Sequence, residues 1–334
     1  MNAVNSQWSR AVTIIIAMVM GVVVWWPSVV AAQTMNFAGG PENTQWMLSG
    51  NVFECRFQQH LPGYGEAVFY HQAGQDVTFQ LEPERNLMAA SNANITITPP
   101  PWKPAERSER LGTSRVRSEG PAVVLDSERS NQFLHALREG RMPTISHQAY
   151  YDPSRYVQVQ VSAVEFERAF RDYLLCANQL LTMNLGQVAR SKVFFKSSEE
   201  QLDKADIQEL EKVVYYIKHD PRVTGVYLDG HTDNVGRRYD NRQISKRRVE
   251  AVERYFLQQG IDSEIITTRF HGGRYPVADN RTVKGRNANR RVTVRLEVDK
   301  DIPLPDALVF KLPEDSQAVP PLNGPGGYPT SAQR

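Results

Sequence analysis

Cysteine is nearly absent from this chain: there are two in 334 residues, Cys55 and Cys176. Two thiols that far apart, with no His/Cys cluster between them, exclude a cysteine-based zinc site. They leave two readings, one long-range disulfide or two buried thiols. Long apolar runs are equally scarce. The first, Ala11 to Trp26, is shorter than the roughly 18–20 residues that span a bilayer comfortably, and nothing after residue 32 rivals it. No excess of one charge exists either. Lys+Arg number 39 against 37 Asp+Glu, a formal net charge of +2, so whole-chain charge says little about partners. No His-Glu-x-x-His or comparable set occurs among the seven histidines, which removes the usual zinc-hydrolase grounds for calling the chain an enzyme. We expect no catalytic residue, no metal and no cofactor.

What the start of the chain does have is order. Arg10 lies in a polar lead, the apolar core follows, Pro27 breaks it, and small residues end it at Val30-Ala31-Ala32-Gln33. That sequence of features predicts a secretory signal peptide over residues 1–32, cut after Ala32; the alternative is a single membrane anchor. No cysteine stands at the exit, so lipoprotein processing has no acceptor thiol. Export into an oxidising compartment favours a Cys55–Cys176 disulfide over two thiols. It would close a loop of about 120 residues, and chain entropy puts an upper figure of about 4–5 kcal/mol on such a crosslink.

Three regions follow. Residues 33–185 form an N-terminal, mostly β domain with flanking helices. Strands are expected at Trp46–Leu48, Asn51–Cys55, Ala67–Tyr70, Val77–Leu81 and Ile95–Ile97, where aromatic and β-branched residues alternate between Gly and Pro breaks, the pattern of antiparallel sheet. The Pro-rich run Thr98–Pro104 must be extended loop. A short helix is expected over Asn131–Gly140, a strand over Tyr156–Val161, and a helix over Ser162–Leu181 with Ser162 as its cap and Glu165 three residues on. Residues 186–298 read as β-α-β-α-β-β: strand Val193–Phe195, helix Ser198–His219, strand Gly225–Gly230, helix Asn241–Gln259 closed by Gly260, and strands Ile265–Phe270 and Arg291–Val298. The fold class is α+β, the second domain being a two-layer sandwich with helices on one side of a sheet. Residues 299–334, rich in Pro, Gly and Ser, are expected to be a largely disordered tail.

The chemistry concentrates after the central strand of the second domain, in Gly230-His231-Thr232-Asp233 and Asn241-Arg242-Gln243-Ile244-Ser245-Lys246-Arg247-Arg248. Ile244, Arg248 and Val252 share one helix row, so Arg248 faces inward. A buried guanidinium needs an anion. Asp233 sits in the loop that opens onto this helix. The pair can flank a pocket for a zwitterion, carboxylate to Arg248 and ammonium to Asp233, as the side-chain end of diaminopimelate supplies. Alternatively they form a structural ion pair with each other.

From about Val193 to Leu296 the chain resembles the OmpA-like peptidoglycan-binding domain. The match rests on a strand ending Gly-His-Thr-Asp (230–233), Asn241 then Ser245-x-x-Arg248 on the helix, and the closing Asn289-Arg290-Arg291-Val292. The resemblance implies that Asp233 and Arg248 hold the diaminopimelate ammonium and carboxylate. Thr232 and Asn241 would be pocket neighbours, Asn289 and Arg291 architectural, and Arg290 near the rim. Val249 and Phe270-His271-Gly272-Gly273 depart from the family pattern. Upstream, Glu54-Cys55, Pro62-Gly63-Tyr64-Gly65-Glu66-Ala67-Val68-Phe69, Pro99-Pro100-Pro101-Trp102-Lys103-Pro104, Gly140-Arg141-Met142-Pro143-Thr144 and distant Cys176 resemble the MotY family of sodium-type flagellar motor proteins. That resemblance implies a periplasmic ring of identical subunits around the basal body. Its N-terminal domain would contact the basal body and the stator partner MotX, and its C-terminal domain would anchor to the wall.

Three rivals are weighed. From His231 to Arg295 there are 15 Lys/Arg against 7 Asp/Glu, a basic stretch that nucleic acid would suit; export argues against that partner, and an anionic wall polymer suits the same charge. A wall-cleaving enzyme would want more than His231 beside Asp233. A general OmpA-like tether unrelated to motility would not need the N-terminal motifs.

Overall fold

The computed structural model describes residues 33–40, 42–100, 102–305 and 309. The expected signal peptide, Pro101 of the Pro-rich loop and most of the expected tail lie outside these residues. Among the described residues no helix is long and apolar enough to cross a membrane.

The N-terminal half is two five-stranded sheets. One runs in the order β1 (Thr34–Ala38), β10 (Tyr156–Gln160), β9 (Met142–Gln148), β6 (Asn92–Thr98), β7 (Glu109–Arg115). The other runs β2 (Trp46–Asn51), β3 (Glu54–Leu61), β4 (Gly65–Gln72), β5 (Thr78–Pro83), β8 (Val123–Leu125). Pairing is antiparallel except β1 with β10, which is parallel. Period-two burial is strict on β3, whose Cys55, Phe57, Gln59 and Leu61 face inward. Helices α1 (Ser127–Arg138) and α2 (Phe166–Gln179) close the core. Phe57, Phe69, Phe79, Phe133, Phe166 and Phe170 are fully buried there, each contributing about 1.5–3 kcal/mol of transfer free energy. A disulfide joins Cys55 on β3 to Cys176 on α2, with Cα atoms 6.2 Å apart. Gly50, on the neighbouring strand, leaves room for it: a Cβ there would stand 2.9 Å from Cys176 Sγ.

Three local expectations fail here for identifiable reasons. Asn51–Cys55 is not one strand but the turn between β2 and β3. The Asn51 side-chain oxygen accepts from Phe53 N (2.8 Å) and Glu54 N (3.2 Å), a local bond that competes with the ladder. Helix α1 starts at Ser127, earlier than expected, because Asp126 caps it through Arg129 N. Ser162 does not cap α2; its hydroxyl accepts from Val164 N at 3.3 Å, ahead of the helix. Its backbone is engaged by Gln59 in both directions, at 2.8 Å each, and α2 begins only at Phe166 after a left-handed Glu165 (φ 58°).

The C-terminal half is one four-stranded sheet, β11 (Arg190–Phe194), β14 (Arg291–Val298), β12 (Val223–His231), β13 (Ile266–Gly272), with β12 and β13 parallel. Helices α4 (Lys204–His219) and α5 (Arg238–Gln258) pack on one face, and α3 (Leu185–Val188) leads into it. A further helix, α6 (Val283–Asn289), lies between β13 and β14, so the element order is β-α-β-α-β-α-β rather than the β-α-β-α-β-β expected. Its polar run Lys284–Asn289 has too little apolar periodicity to announce it. Helix α4 starts at Lys204, not Ser198: Asp203 and Asp206 form a reciprocal capping box, while Ser198 takes a left-handed conformation (φ 61°). Gly230 permits the closest contact of the layers. A Cβ there would stand 2.6 Å from both Ser245 O and Val249 Cγ2, so α5 presses directly on β12.

The two halves touch. Ala73 and Leu181 are buried with the second core. The ring of Phe53, in the β2–β3 turn, lies 5.7 Å from that of Tyr216 and 5.0 Å from the Arg222 guanidinium carbon. Asn184 Nδ2 donates to Ala73 O at 3.1 Å.

Candidate functional site

The site grows from the end of β12. The pairing with β13 shifts register between Gly230 and His231, and the chain turns inward through Thr232 and Asp233, both buried. Thr232 donates its N–H to Gly272 O (2.9 Å) and its hydroxyl to Asp233 O (2.9 Å), which anchors the turn on β13. Asp233 Oδ1 accepts from Val235 N at 3.1 Å, and Oδ2 accepts from Arg290 Nη1 at 2.7 Å. Asn241, in the first turn of α5, donates to Val235 O at 3.0 Å and ties the loop to the helix.

Arg248 is 1% exposed, the largest of the fully buried side chains. Its Nε donates to Glu199 O (2.9 Å) and its Nη2 to Lys196 O (3.0 Å), and its guanidinium carbon lies 5.0 Å from the centre of the Phe195 ring. Nη1 is buried without a hydrogen-bond partner. Burial, then the neighbouring Arg290 cation, pushes its pKa down to about 10, with Asp233 acting in the opposite sense. The cation is thus held by carbonyl dipoles rather than by a carboxylate.

Asp233 and Arg248 are not bonded to each other; Arg290 takes the aspartate instead. Placed at the rim by sequence, Arg290 is a central member of the cluster, with a side chain 12% exposed. It also donates from Nε to Phe195 O (3.1 Å) and pairs with Asn287. Four of the five sequence-predicted residues therefore share one hydrogen-bonded turn, and Arg248 adjoins it. Asn289 is fully buried and holds the loop after β13 by accepting from Val277 N (2.7 Å) and Ala278 N (3.1 Å). Arg291 is held to Tyr275 O.

Two features escaped the sequence. One is the loop after β11, where Phe195 and the carbonyls of Lys196 and Glu199 cradle both arginines. Main-chain acceptors carry no residue signature. The other is the role of the motif residue Ser245, whose hydroxyl accepts from Gly272 N at 3.1 Å and fixes β13 against α5. Beside the turn, His231 stacks on His271 with ring centres 5.0 Å apart, and His271 Nε2 meets Asp229 Oδ1 at 2.9 Å. Burial, with Arg291 and His271 nearby, pushes His231 down to about 4. An open groove of about 400 Å³ next to the cluster is lined by Asn234, Gly236, Arg238, Asn241, His271 and Gly273 among others. Among the described residues no group of three or more His, Cys, Asp or Glu could hold a metal ion.

Comparison with known proteins finds two family models along the chain. Residues 37–182 match the family model of the MotY N-terminal domain, and residues 194–290 match the OmpA family. The sodium-type flagellar protein MotY of Vibrio parahaemolyticus is 27% identical over 269 residues, covering 80% of this chain and 92% of that protein. The outer-membrane lipoprotein YfiB of Pseudomonas aeruginosa is 36% identical over 104 residues, 31% of this chain and 61% of its own length. Among solved structures, the peptidoglycan-associated lipoprotein of Burkholderia pseudomallei aligns over 33% of this chain and 93% of its own, at 22% identity and a TM-score of 0.32. The chain therefore matches the MotY N-terminal domain model over residues 37–182 and the OmpA family model over residues 194–290, and it is similar to MotY over most of its length.

Proposed function

We propose that the protein is a non-enzymatic component of the flagellar motor, exported to the periplasm, that anchors the motor to the cell wall. Its C-terminal domain, residues 186–298, grips peptidoglycan by the zwitterionic end of a diaminopimelate stem. Its N-terminal domain, residues 33–185, contacts the basal body and a MotX-like stator partner, and subunits assemble into a ring. The observation that carries the wall-binding part is the unpartnered, buried Nη1 of Arg248 beside Asp233. A ligand carboxylate supplies the anion that this guanidinium lacks. Asp233 spends one bond on each oxygen and keeps a lone pair on each for an ammonium group. Arg290 holds the aspartate oriented. Thr232 and Asn241 hold the turn. The MotY relative and the disulfide, which suits an oxidising compartment, support the motor and periplasmic parts.

The test is co-sedimentation with purified sacculi, wild type against Arg248→Ala. Retention that is lost in the variant supports the reading; equal pelleting overturns it. A zymogram on the same sacculi checks the absence of cleavage, since clearing would indicate an enzyme.

A further inference from the structure

The helices of the C-terminal half lie on one face of its sheet, and the other face carries charge. Val193, Val226, Leu228 and Val294 enter the core beneath α4 and α5, so their neighbours along each strand point the opposite way. Those neighbours include Arg190 and Lys192 on β11, Arg295 on β14 and Arg269 on β13. Arg190, Lys192 and Arg269 are exposed, and Arg295 is half-buried. Tyr227 of β12 stands among them, its ring centre 4.0 Å from the guanidinium carbon of Arg295 and 5.1 Å from that of Arg269. Among the described residues none of the four cations is in an ion pair. Both carboxylates of these strands are engaged elsewhere: Asp229 Oδ1 meets His271 Nε2 at 2.9 Å, and Glu297 accepts from the Tyr227 hydroxyl.

Within the chain itself this arrangement is unfavourable. The register sets Arg190 directly opposite Arg295, and like charges so placed are destabilising. Protection of a sheet edge accounts for cations on β11, a terminal strand. It does not account for Arg295, because β14 is an interior strand. We propose that this open face is a second contact for the cell-wall polymer, taking stem-peptide carboxylates other than the one that enters the Arg248 pocket.

Charge and position both favour that occupant. Guanidinium forks take carboxylates in two-point contacts, and a polymer that repeats carboxylates can meet several cations of one plane at once. Tyr227 lies four residues before His231 on β12, about 13 Å at 3.3 Å per residue, and the Thr232–Asp233 turn follows directly. A polymer held by one stem end at the turn therefore has neighbouring stems within reach of the face. The inference rests on the wall-binding reading: the pocket supplies specificity, and the face supplies an attraction that salt screens.

Co-sedimentation with purified sacculi at low and high salt tests it, with the full chain and a triple variant, Arg190→Gln, Lys192→Gln and Arg295→Gln. Calorimetric titration with a soluble diaminopimelate-containing stem peptide reads the pocket separately and checks that the variant is folded. At low salt the wild type should be held about tenfold more tightly than the variant, and the difference should vanish at high salt. Stem-peptide affinity should be the same in both. Arg190→Gln alone removes a side chain outside any ion pair and should show the same change in smaller measure. Equal retention of wild type and triple variant at low salt, with stem-peptide binding intact, overturns the proposal. Failure of both proteins to bind the stem peptide, with the salt-sensitive difference on sacculi kept, overturns the pocket and supports the face. Capture by phosphatidylglycerol vesicles that is lost in the variant, while both proteins pellet equally with sacculi, overturns the choice of occupant in favour of a membrane surface.

Discussion

Replacing Arg248 by methionine should separate binding from stability. At neutral pH the guanidinium is charged in folded and unfolded chains alike. Burial lowers its folded-state pKa to about 10, so the charged side chain sits in the fold at a cost of about 3 kcal/mol. The substitution removes that cost. It also removes the bonds to the carbonyls of Glu199 and Lys196, worth about 1.5–3 kcal/mol each for a charged donor. The net change is a destabilisation of roughly 0–3 kcal/mol, or a melting temperature lowered by no more than about 10 °C. Ligand binding loses a buried charge pair, about 2–5 kcal/mol, which is a fall in affinity of roughly 30-fold or more. Circular dichroism melts measure the first quantity. Calorimetric titration with a diaminopimelate-containing stem peptide measures the second. A cooperatively folded variant that binds the peptide as wild type does would refute the reasoning, because the neighbouring cation, Arg290, is already on Asp233. Arg248→Lys keeps the charge but not the fork, and binding should stay at least about tenfold weaker.

Asp233→Asn should weaken stem-peptide binding by about tenfold or more, since an amide attracts an ammonium far less than a carboxylate does; unchanged calorimetric affinity would remove Asp233 from the site. Gly230→Ala forces a methyl to 2.6 Å from Ser245 O and Val249 Cγ2, and should lower stability by about 1–3 kcal/mol in urea unfolding, whereas an unshifted midpoint would mean that α5 does not press on β12. Reducing Cys55–Cys176 should cost about 2–4 kcal/mol, read as a lower urea midpoint with reductant that a double Cys→Ala variant reproduces without it. His231 has a folded pKa near 4 against 6.5 unfolded, so its contribution is present above pH 6.5 and is lost as pH falls toward 4. His231→Gln should flatten the loss of stability in that window, and an identical slope in both proteins would show that burial, Arg291 and His271 do not hold the ring neutral.

The strands that alternate and the helices with a clear apolar stripe were legible because burial on one face imposes a period. Residues 291–298 show it in the sequence, and β14 occupies that span. Boundaries failed where a side chain bonded locally or far away. The Asn51 turn and the Gln59–Ser162 pair each replace a ladder or cap bond with one that no period reports. The same division runs through the site. Asp233 and Arg248 were visible as opposite charges on facing elements, but the partner of Asp233 was not. Arg290 lies 57 residues on, after a helix whose sequence has no apolar stripe, and its approach depends on Phe195 O and Asn289 locking the loop.

The fold also bears on how an anchor of this kind could carry load. β12 is nine residues long, about 26 Å at 3.3 Å per step. Its first residue follows Arg222, which packs on Phe53 of the N-terminal half, and its last precedes the Thr232–Asp233 turn. One interior strand therefore connects the junction to the site. It is paired on both sides, antiparallel to β14 and parallel to β13. In the proposed anchor, a pull between the wall and the N-terminal half acts along the strand, across hydrogen bonds that are perpendicular to it on the β14 side and slanted on the β13 side. Those bonds share the force together instead of opening one after another. α5 pressing on Gly230 then keeps the loaded strand in register with the helix that carries Arg248, so the two halves of the proposed pocket move as one body.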